Sequence, residues 1–179
     1  MQFVGLFSIA LCWAGLLFLI RRWKGNVSMT FSQHAAQYKS AQVYHFALFT
    51  IVLPLFYCFM LGWFTPTFKF GLLFKVLITF SAAALYIAAV VPETKGIKVI
   101  IHRQAAFAMA YTLLPVVILI YLNTHVSATA RIVALLCAVY MLGEIVVLKN
   151  NRRHPKMLIV QASYVAAFHT AILAATFSW

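Results

Sequence analysis

Six long apolar runs constrain this chain more than any other feature of its sequence. They span residues 3–20, 42–62, 70–91, 104–122, 131–148 and 157–178. Each is close to the roughly 20 residues that an α-helix needs to cross about 30 Å of hydrocarbon. Hydrophobic residues make up 65% of the 179 residues and charged residues only 9%. The sequence therefore predicts an all-α polytopic membrane protein, a bundle of six transmembrane helices that forms a single domain over residues 1–179.

The basic residues are concentrated in alternate connections between these runs. Eleven of the fourteen follow the first, third and fifth runs: Arg21, Arg22, Lys24, Lys39, Lys95, Lys98, Arg103, Lys149, Arg152, Arg153 and Lys156. Loops rich in Lys and Arg normally stay in the cytoplasm. We therefore expect both termini to lie outside, in what is most simply a bacterial cytoplasmic (inner) membrane. Because topology accounts for the net charge of +12, we expect membrane lipids as partners and no nucleic acid.

The polar segment 27–40, which follows the first run, does not have the composition of a membrane span. It is predicted to form either a helix in the membrane interface, with Ser28 or Ser32 as its N-cap, or a plain loop. Three histidines outside the apolar runs are expected to be solvated, namely His34, His125 and His154.

Glu144 is the only acidic residue inside an apolar run, and the chain has only two acidic residues. A carboxylate at membrane depth is costly unless it is paired, protonated or faces a polar cavity. At about 1.5 Å per residue, Glu144 lies roughly 6 Å inside the boundary. We expect it to pair with His102, Arg103 or His45 in a polar cavity that faces the cytoplasm. The alternative is a structural pair with a loop cation such as Arg152.

Other polar side chains extend this predicted cavity. His45 lies about as deep as Glu144, and His102 and Arg103 lie at the start of the fourth run. His169 lies roughly 18 Å in, near the midplane, by the same rise per residue. Gln161 and Tyr164 precede it on the same helix, so that they line a predicted path from the cytoplasm to His169. The expected ligand-binding set is Glu144, His102, His169, His45, Gln161, Tyr164 and Arg103.

Two cofactor hypotheses use some of these residues. Two histidines and a carboxylate suit zinc or iron, and His45, His102 and Glu144 would be the set. Haem held by two histidines would use His45 and His102. The ligands are scattered singly along the chain, so we predict no cofactor and no metal, with zinc and haem as alternatives. The chain also has no GxSxG, P-loop or GxGxxG pattern, so standard hydrolase, nucleotide and dinucleotide chemistry has no support.

Three short stretches add a family resemblance. They are the Gly-Asn-Val-Ser segment at 25–28, the Ile-His-Arg-Gln-Ala-Ala stretch at 101–106 and the Gln-Ala-Ser-Tyr-Val-Ala-Ala-Phe-His stretch at 161–169. With six short-looped helices, the chain resembles small membrane proteins of the DRAM/Sfk-like group and their bacterial relatives. The resemblance implies a six-helix bundle and a lipid-related role. It implies no known reaction, and it directs attention to His102 and His169.

These observations lead to one functional hypothesis and two alternatives. We predict an integral membrane protein that binds a small or lipid-like ligand in a polar pocket on the cytoplasmic side, with translocation of that ligand as an extension. The first alternative is a metal- or haem-dependent membrane enzyme or redox carrier. The second is a structural subunit of a larger membrane complex, and self-association into a homo-oligomer is compatible with all three.

Overall fold

The computed structural model describes residues 1–150 and 154–178. Within them, six helices of 19–29 residues are long and apolar enough to cross a membrane. They are α1 (Gln2–Arg22), α3 (Lys39–Thr67), α4 (Leu72–Val90), α5 (Ile97–Leu122), α6 (Ala128–Asn150) and α7 (Met157–Phe177), and a short helix, α2 (Phe31–Ala36), lies between the first two. By length and composition, these helices suit an integral membrane protein.

Two helices extend well beyond the apolar runs of the sequence. α5 begins at Ile97, seven residues before the predicted start at 104, because Lys98 and Arg103 are good helix formers even though they are charged. α3 continues to Thr67 through a wide π-helical turn at Met60–Phe64. The Thr65 hydroxyl donates to the Met60 carbonyl at 2.7 Å inside this turn. Hydropathy identifies the part of a helix that suits the hydrocarbon, and it does not show how far the helix continues beyond that part.

The helices pack mainly against their neighbours in the chain, and contacts of α7 with α5 and α1 close the bundle. Large aromatic side chains of α3 and α4 fill much of the core, including Phe59, Phe64 and Phe74, each at most 1% exposed. Many equally apolar side chains face outwards, such as Leu72 at 75% and Leu136 at 65% exposure. Apolar exposure of this extent suits contact with lipid rather than water.

α1 and α3 approach closely where α1 carries a glycine. A Cβ atom built on Gly15 would lie 2.4 Å from Cδ1 of Leu48. The Tyr44 hydroxyl donates to the Gly15 carbonyl at 3.1 Å in the same contact. Small residues allow membrane helices to pack this tightly, so Gly15 fixes the spacing of the first two long helices.

The segment between α1 and α3 forms a helix that is inserted into the end of the bundle. Its N-cap is Thr30, where Ser28 or Ser32 was expected: the Thr30 hydroxyl accepts from the Gln33 amide, and the Gln33 side chain accepts from the Thr30 amide. Phe31 and Ala35 are 6% and 4% exposed. The segment therefore forms a helix rather than a plain loop, and one face of this helix is buried against the bundle.

His34 corrects a second expectation about this segment. It was expected to be solvated, but it is 2% exposed. Its Nδ1 lies 2.9 Å from the Thr30 carbonyl, and its ring packs on Gly25, where a Cβ would lie 2.3 Å from Cδ2. The other two loop histidines are less enclosed: His125 is exposed and His154 is half-buried.

A candidate ligand cavity at the basic end of the bundle

Three neighbouring cavities lie towards the end of the bundle where the α1–α3, α4–α5 and α6–α7 connections meet. We call it the basic end, because these connections carry most of the basic residues. The basic-end cavity, of about 510 Å³, lies between α2, α5 and the start of α7. A side cavity of about 220 Å³ lies between α2, α3 and α4. An inner cavity of about 130 Å³ continues towards His169.

Shared lining residues show that the cavities adjoin one another. Ser32 of α2 lines all three. Gln161 lines the basic-end and inner cavities, and His102 lines the basic-end and side cavities. His45 lines the side and inner cavities. The three cavities therefore form a series from the basic end to the level of His169, and α2 lies where they adjoin.

Glu93, in the connection between α4 and α5, organises the polar wall of the basic-end cavity. Its Oε1 accepts from Arg103 Nε at 2.8 Å and from Gln33 Nε2 at 3.2 Å. Its Oε2 accepts from the Thr30 hydroxyl at 3.5 Å and lies 3.9 Å from His102 Nε2. The Glu93 side chain is only 7% exposed, and these partners offset the cost of burying its charge.

The orientation of His102 follows from its second ring nitrogen. His102 Nδ1 lies 2.8 Å from the Val91 carbonyl, the final carbonyl before Pro92. A carbonyl only accepts hydrogen bonds, so Nδ1 carries a proton and donates. His102 Nε2 is thereby directed towards Glu93, at the boundary between the basic-end and side cavities. The start of α5 thus places both His102 and Arg103 beside the Glu93 carboxylate.

α2 is held in place by both halves of the chain. The backbone N–H of Phe31 donates to Gln161 Oε1 on α7 at 2.9 Å. The N–H of Leu158 donates to the Val27 carbonyl at 2.9 Å. Thr30 and Gln33 contact Glu93 on the other side. The segment therefore forms a tethered roof over the basic-end cavity.

The floor of this cavity joins α5 to α7. The Tyr164 hydroxyl donates to the Ala110 carbonyl, and Tyr164 is 3% exposed. The apolar part of the lining is Ala106, Phe107, Met109, Ala110, Leu148, Met157 and Val165. The cavity thus has a charged wall near its mouth and an apolar wall deeper in the bundle.

His169 lies apart from this charged wall and is bonded to α1. Its Nδ1 accepts from the indole Nε1–H of Trp13 at 3.0 Å, and Phe56 and Phe168 pack around its ring. Because a tryptophan only donates, the neutral His169 ring carries its proton on Nε2. No partner for His169 could be predicted from the sequence, because no local pattern links it to a tryptophan 156 residues away.

Glu144 is not in the charged cluster. It accepts a hydrogen bond from the Ser163 hydroxyl at 3.0 Å, between α6 and α7. On α7, Ser163 lies on the opposite side of the helix from Gln161 and Val165, which line the basic-end cavity. The expected pairing with His102, Arg103 or His45 is therefore wrong, because the first two lie beside Glu93 and His45 lines the side and inner cavities, which Glu144 does not line. The alternative partner, Arg152, lies outside the described residues.

The remaining predicted residues come together in part. His102, Arg103, Gln161 and Tyr164 line the basic-end cavity, and His45 and His169 line the inner cavity. Among residues 1–150 and 154–178, no three His, Cys, Asp or Glu side chains are grouped as metal ligands. The alternative set of His45, His102 and Glu144 is divided between the cavities and the α6–α7 contact.

Sequence reasoning missed Glu93, Thr30 and Gln33. Glu93 is one of only two acidic residues in the chain, and this scarcity was a usable signal. The Thr-Phe-Ser-Gln sequence at 30–33 has the spacing of a capping box and would have placed the start of α2. No comparable signal linked these residues to each other across the chain.

Over the described residues the fold is all-helical, with six helices that are long and apolar enough to cross a membrane and an amphipathic chamber at the basic end of the bundle. Comparison with protein-family models, curated proteins and solved structures found no match to this chain. The residues of the chamber are therefore the basis for a functional assignment.

Proposed function

We propose that this protein binds a small amphipathic or lipid-like ligand in the basic-end cavity. The observation that carries the proposal is a chamber of about 510 Å³, with Glu93 and its hydrogen-bond partners on one wall and apolar side chains on the other. Ligand sites commonly measure about 300–1,000 Å³ and combine an apolar lining with a few directed polar groups. An amphiphile would place its head near Arg103 and its chain along Phe107 and Ala110.

The proposed orientation puts this cavity on the cytoplasmic side. Lys95 and Lys98 flank the α4–α5 connection, and Lys149 and Lys156 flank the α6–α7 connection. The positive-inside rule favours a cytoplasmic position for such connections. Both termini then lie outside, and a bacterial cytoplasmic membrane is the simplest setting.

Translocation of the ligand is an extension of the same proposal. The inner cavity continues from the basic-end cavity through Gln161 and Val165 towards His169. It is mostly apolar, so it suits a hydrocarbon chain better than a charged head. The series of chambers supports movement of a chain towards the midplane.

Photo-crosslinking in nanodiscs tests ligand binding. Diazirine-tagged phosphatidylglycerol and phosphatidylcholine would each be added at low mole fraction, and adducts mapped by mass spectrometry. We expect adducts from at least one probe within 102–110 and 161–165, besides adducts on the exposed Leu136 and Val139 that report bulk lipid. Adducts confined to such exposed residues would refute the proposal.

A blocking variant sharpens this experiment. Ala106 lines both the basic-end and inner cavities, so Ala106→Phe should fill the space and abolish the cavity adducts. Ala83→Phe, on the exposed side of α4, is the matched control and should leave them unchanged. Adducts at Leu136 should persist in both variants, which verifies that the protein remains in the bilayer.

A further inference from the structure

We infer that the ligand of the basic-end cavity carries an oxyanion head, a phosphate or a carboxylate. This inference rests on the proposed function and specifies the chemistry of the same site. It follows from which polar atoms of the cavity are already bonded and which are still available.

The one carboxylate in the cavity is fully used by the protein. Both oxygens of Glu93 accept hydrogen bonds, from Arg103 and Gln33 on one side and from Thr30 on the other. A cationic head would have to compete with these donors and with His102 for a carboxylate whose side chain is only 7% exposed. Among the described lining residues, the cavity therefore offers a cation no carboxylate that is free of protein partners.

The polar groups left over are mainly donors. Of the five N–H groups of Arg103, only Nε–H donates to protein among the described residues. The Arg103 side chain is 57% exposed, so the rest of its planar fork is open to a ligand. Gln161 uses its oxygen to accept from Phe31, which leaves its amide N–H groups. An arginine fork with nearby amide donors matches a phosphate or carboxylate.

The charge balance of the chain agrees with this reading. Only two acidic residues stand against fourteen basic ones. Glu93 is paired, and Glu144 bonds Ser163 away from the cavity lining. An anion approaching the basic end thus meets no unpaired carboxylate among the described lining residues, whereas Lys95 lies in the adjoining connection. The summed field of such charges concentrates anions at the mouth of the cavity.

Amphiphiles with one chain and different heads provide the test. The protein would be purified in dodecyl maltoside, and thermal unfolding measured with dodecyl phosphate, dodecanoate, dodecylphosphocholine or dodecyltrimethylammonium at matched mole fractions and ionic strength. Inorganic phosphate alone distinguishes a free ion from a lipid head. We expect the two anionic amphiphiles to raise Tm by about 5 °C or more at saturation, and the cationic amphiphile and inorganic phosphate to raise it far less.

Variants locate the effect at the proposed site. Arg103→Gln should raise the half-saturating mole fraction of dodecyl phosphate about tenfold or more. Lys98→Gln removes one equivalent charge from an exposed residue of α5 that does not line the cavity, and should change it by less than about twofold. The double variant Glu93→Gln with Arg103→Gln removes the unpaired carboxylate that Arg103→Gln leaves, and it should still bind weakly.

The outcomes separate the two proposals. Equal stabilisation by the cationic amphiphile, lost in Ala106→Phe, would retain the cavity as a ligand site and refute the oxyanion head. A full shift from inorganic phosphate alone would retain the oxyanion and refute an amphipathic ligand. Equal losses in Lys98→Gln and Arg103→Gln, or wild-type binding in the double variant, would refute the role of Arg103.

Discussion

Arg103 Nε donates to Glu93 Oε1 at 2.8 Å, joining the first turns of α5 to the connection that precedes them. The carboxylate is 7% exposed and the guanidinium side chain 57%. One partner is thus held inside the bundle while the other reaches its surface, and the bond turns the start of α5 into one wall of the basic-end cavity.

The first prediction concerns the two acidic residues. Glu93→Gln keeps the shape of the side chain but removes the negative charge that several hydrogen-bond donors face. The free energy of unfolding should therefore fall by about 1–2 kcal/mol. Glu144→Gln is the matched control, because a glutamine oxygen still accepts from Ser163, and its change should stay within about 0.5 kcal/mol. Thermal unfolding in detergent measures both. Equal effects would contradict the central position of Glu93.

The second prediction concerns the partner of Glu144. A double-mutant cycle of Glu144→Ala and Ser163→Ala should give a coupling of about 0.5–1.5 kcal/mol, because the two side chains share a hydrogen bond. The cycle with His102→Ala should be additive. Coupling to His102, with binding lost in Glu144→Gln, would instead support the site predicted from the sequence.

The third prediction tests the Trp13–His169 hydrogen bond. Trp13→Phe removes the only indole donor that reaches His169 among the described residues. Beyond the effect of the lost packing, the free energy of unfolding should fall by about 1 kcal/mol. A cycle with His169→Leu isolates that part as a coupling. Trp23→Phe is the control, because Trp23 bonds the exposed Ser40 at 3.2 Å. A coupling near zero would place the two rings apart.

The fourth prediction concerns close packing at a glycine. Gly15→Ala puts a methyl group 2.4 Å from Leu48, and the strain should lower the unfolding free energy by about 1–3 kcal/mol. Gly143→Ala has no heavy atom within 4 Å of the new Cβ and should be neutral or stabilising by up to about 1 kcal/mol. A tolerated Gly15→Ala would mean that α1 and α3 lie further apart.

The fifth prediction tests the orientation in the membrane. In a background without the three native cysteines, Asn150→Cys should be protected in intact cells from a membrane-impermeant maleimide, and Thr124→Cys should react. The two positions lie at opposite ends of α6 and the connection before it. The reverse labelling pattern would place the basic end outside and exclude a cytoplasmic cavity.

Some of this architecture follows directly from the sequence. Six apolar runs predict six long helices, because hydrocarbon thickness fixes their length. Depth along a helix also placed His102, Arg103, Gln161 and Tyr164 near one end. These inferences depend on one helix at a time.

The arrangement around Glu93 depends on several helices and was not predictable in this way. Glu93 contacts residues 60 and 63 positions away, in α2 and at its N-cap, and Trp13 meets His169 across 156 positions. Glu144 attracted attention because of its depth, but depth does not determine which side of α6 a carboxylate faces. That direction is fixed by the packing of α6 on α7, which a single helix pattern does not encode.

The tethering of α2 has a consequence for kinetics. The backbone N–H of Phe31 donates to the Gln161 side chain, and the backbone N–H of Leu158 donates to the Val27 carbonyl. Lifting the roof breaks both bonds in a single event, so these two amides should exchange with solvent at a common rate. That rate sets an upper limit on how often any molecule passes under α2, and hence a lower limit on the residence time of whatever occupies the chambers beneath it.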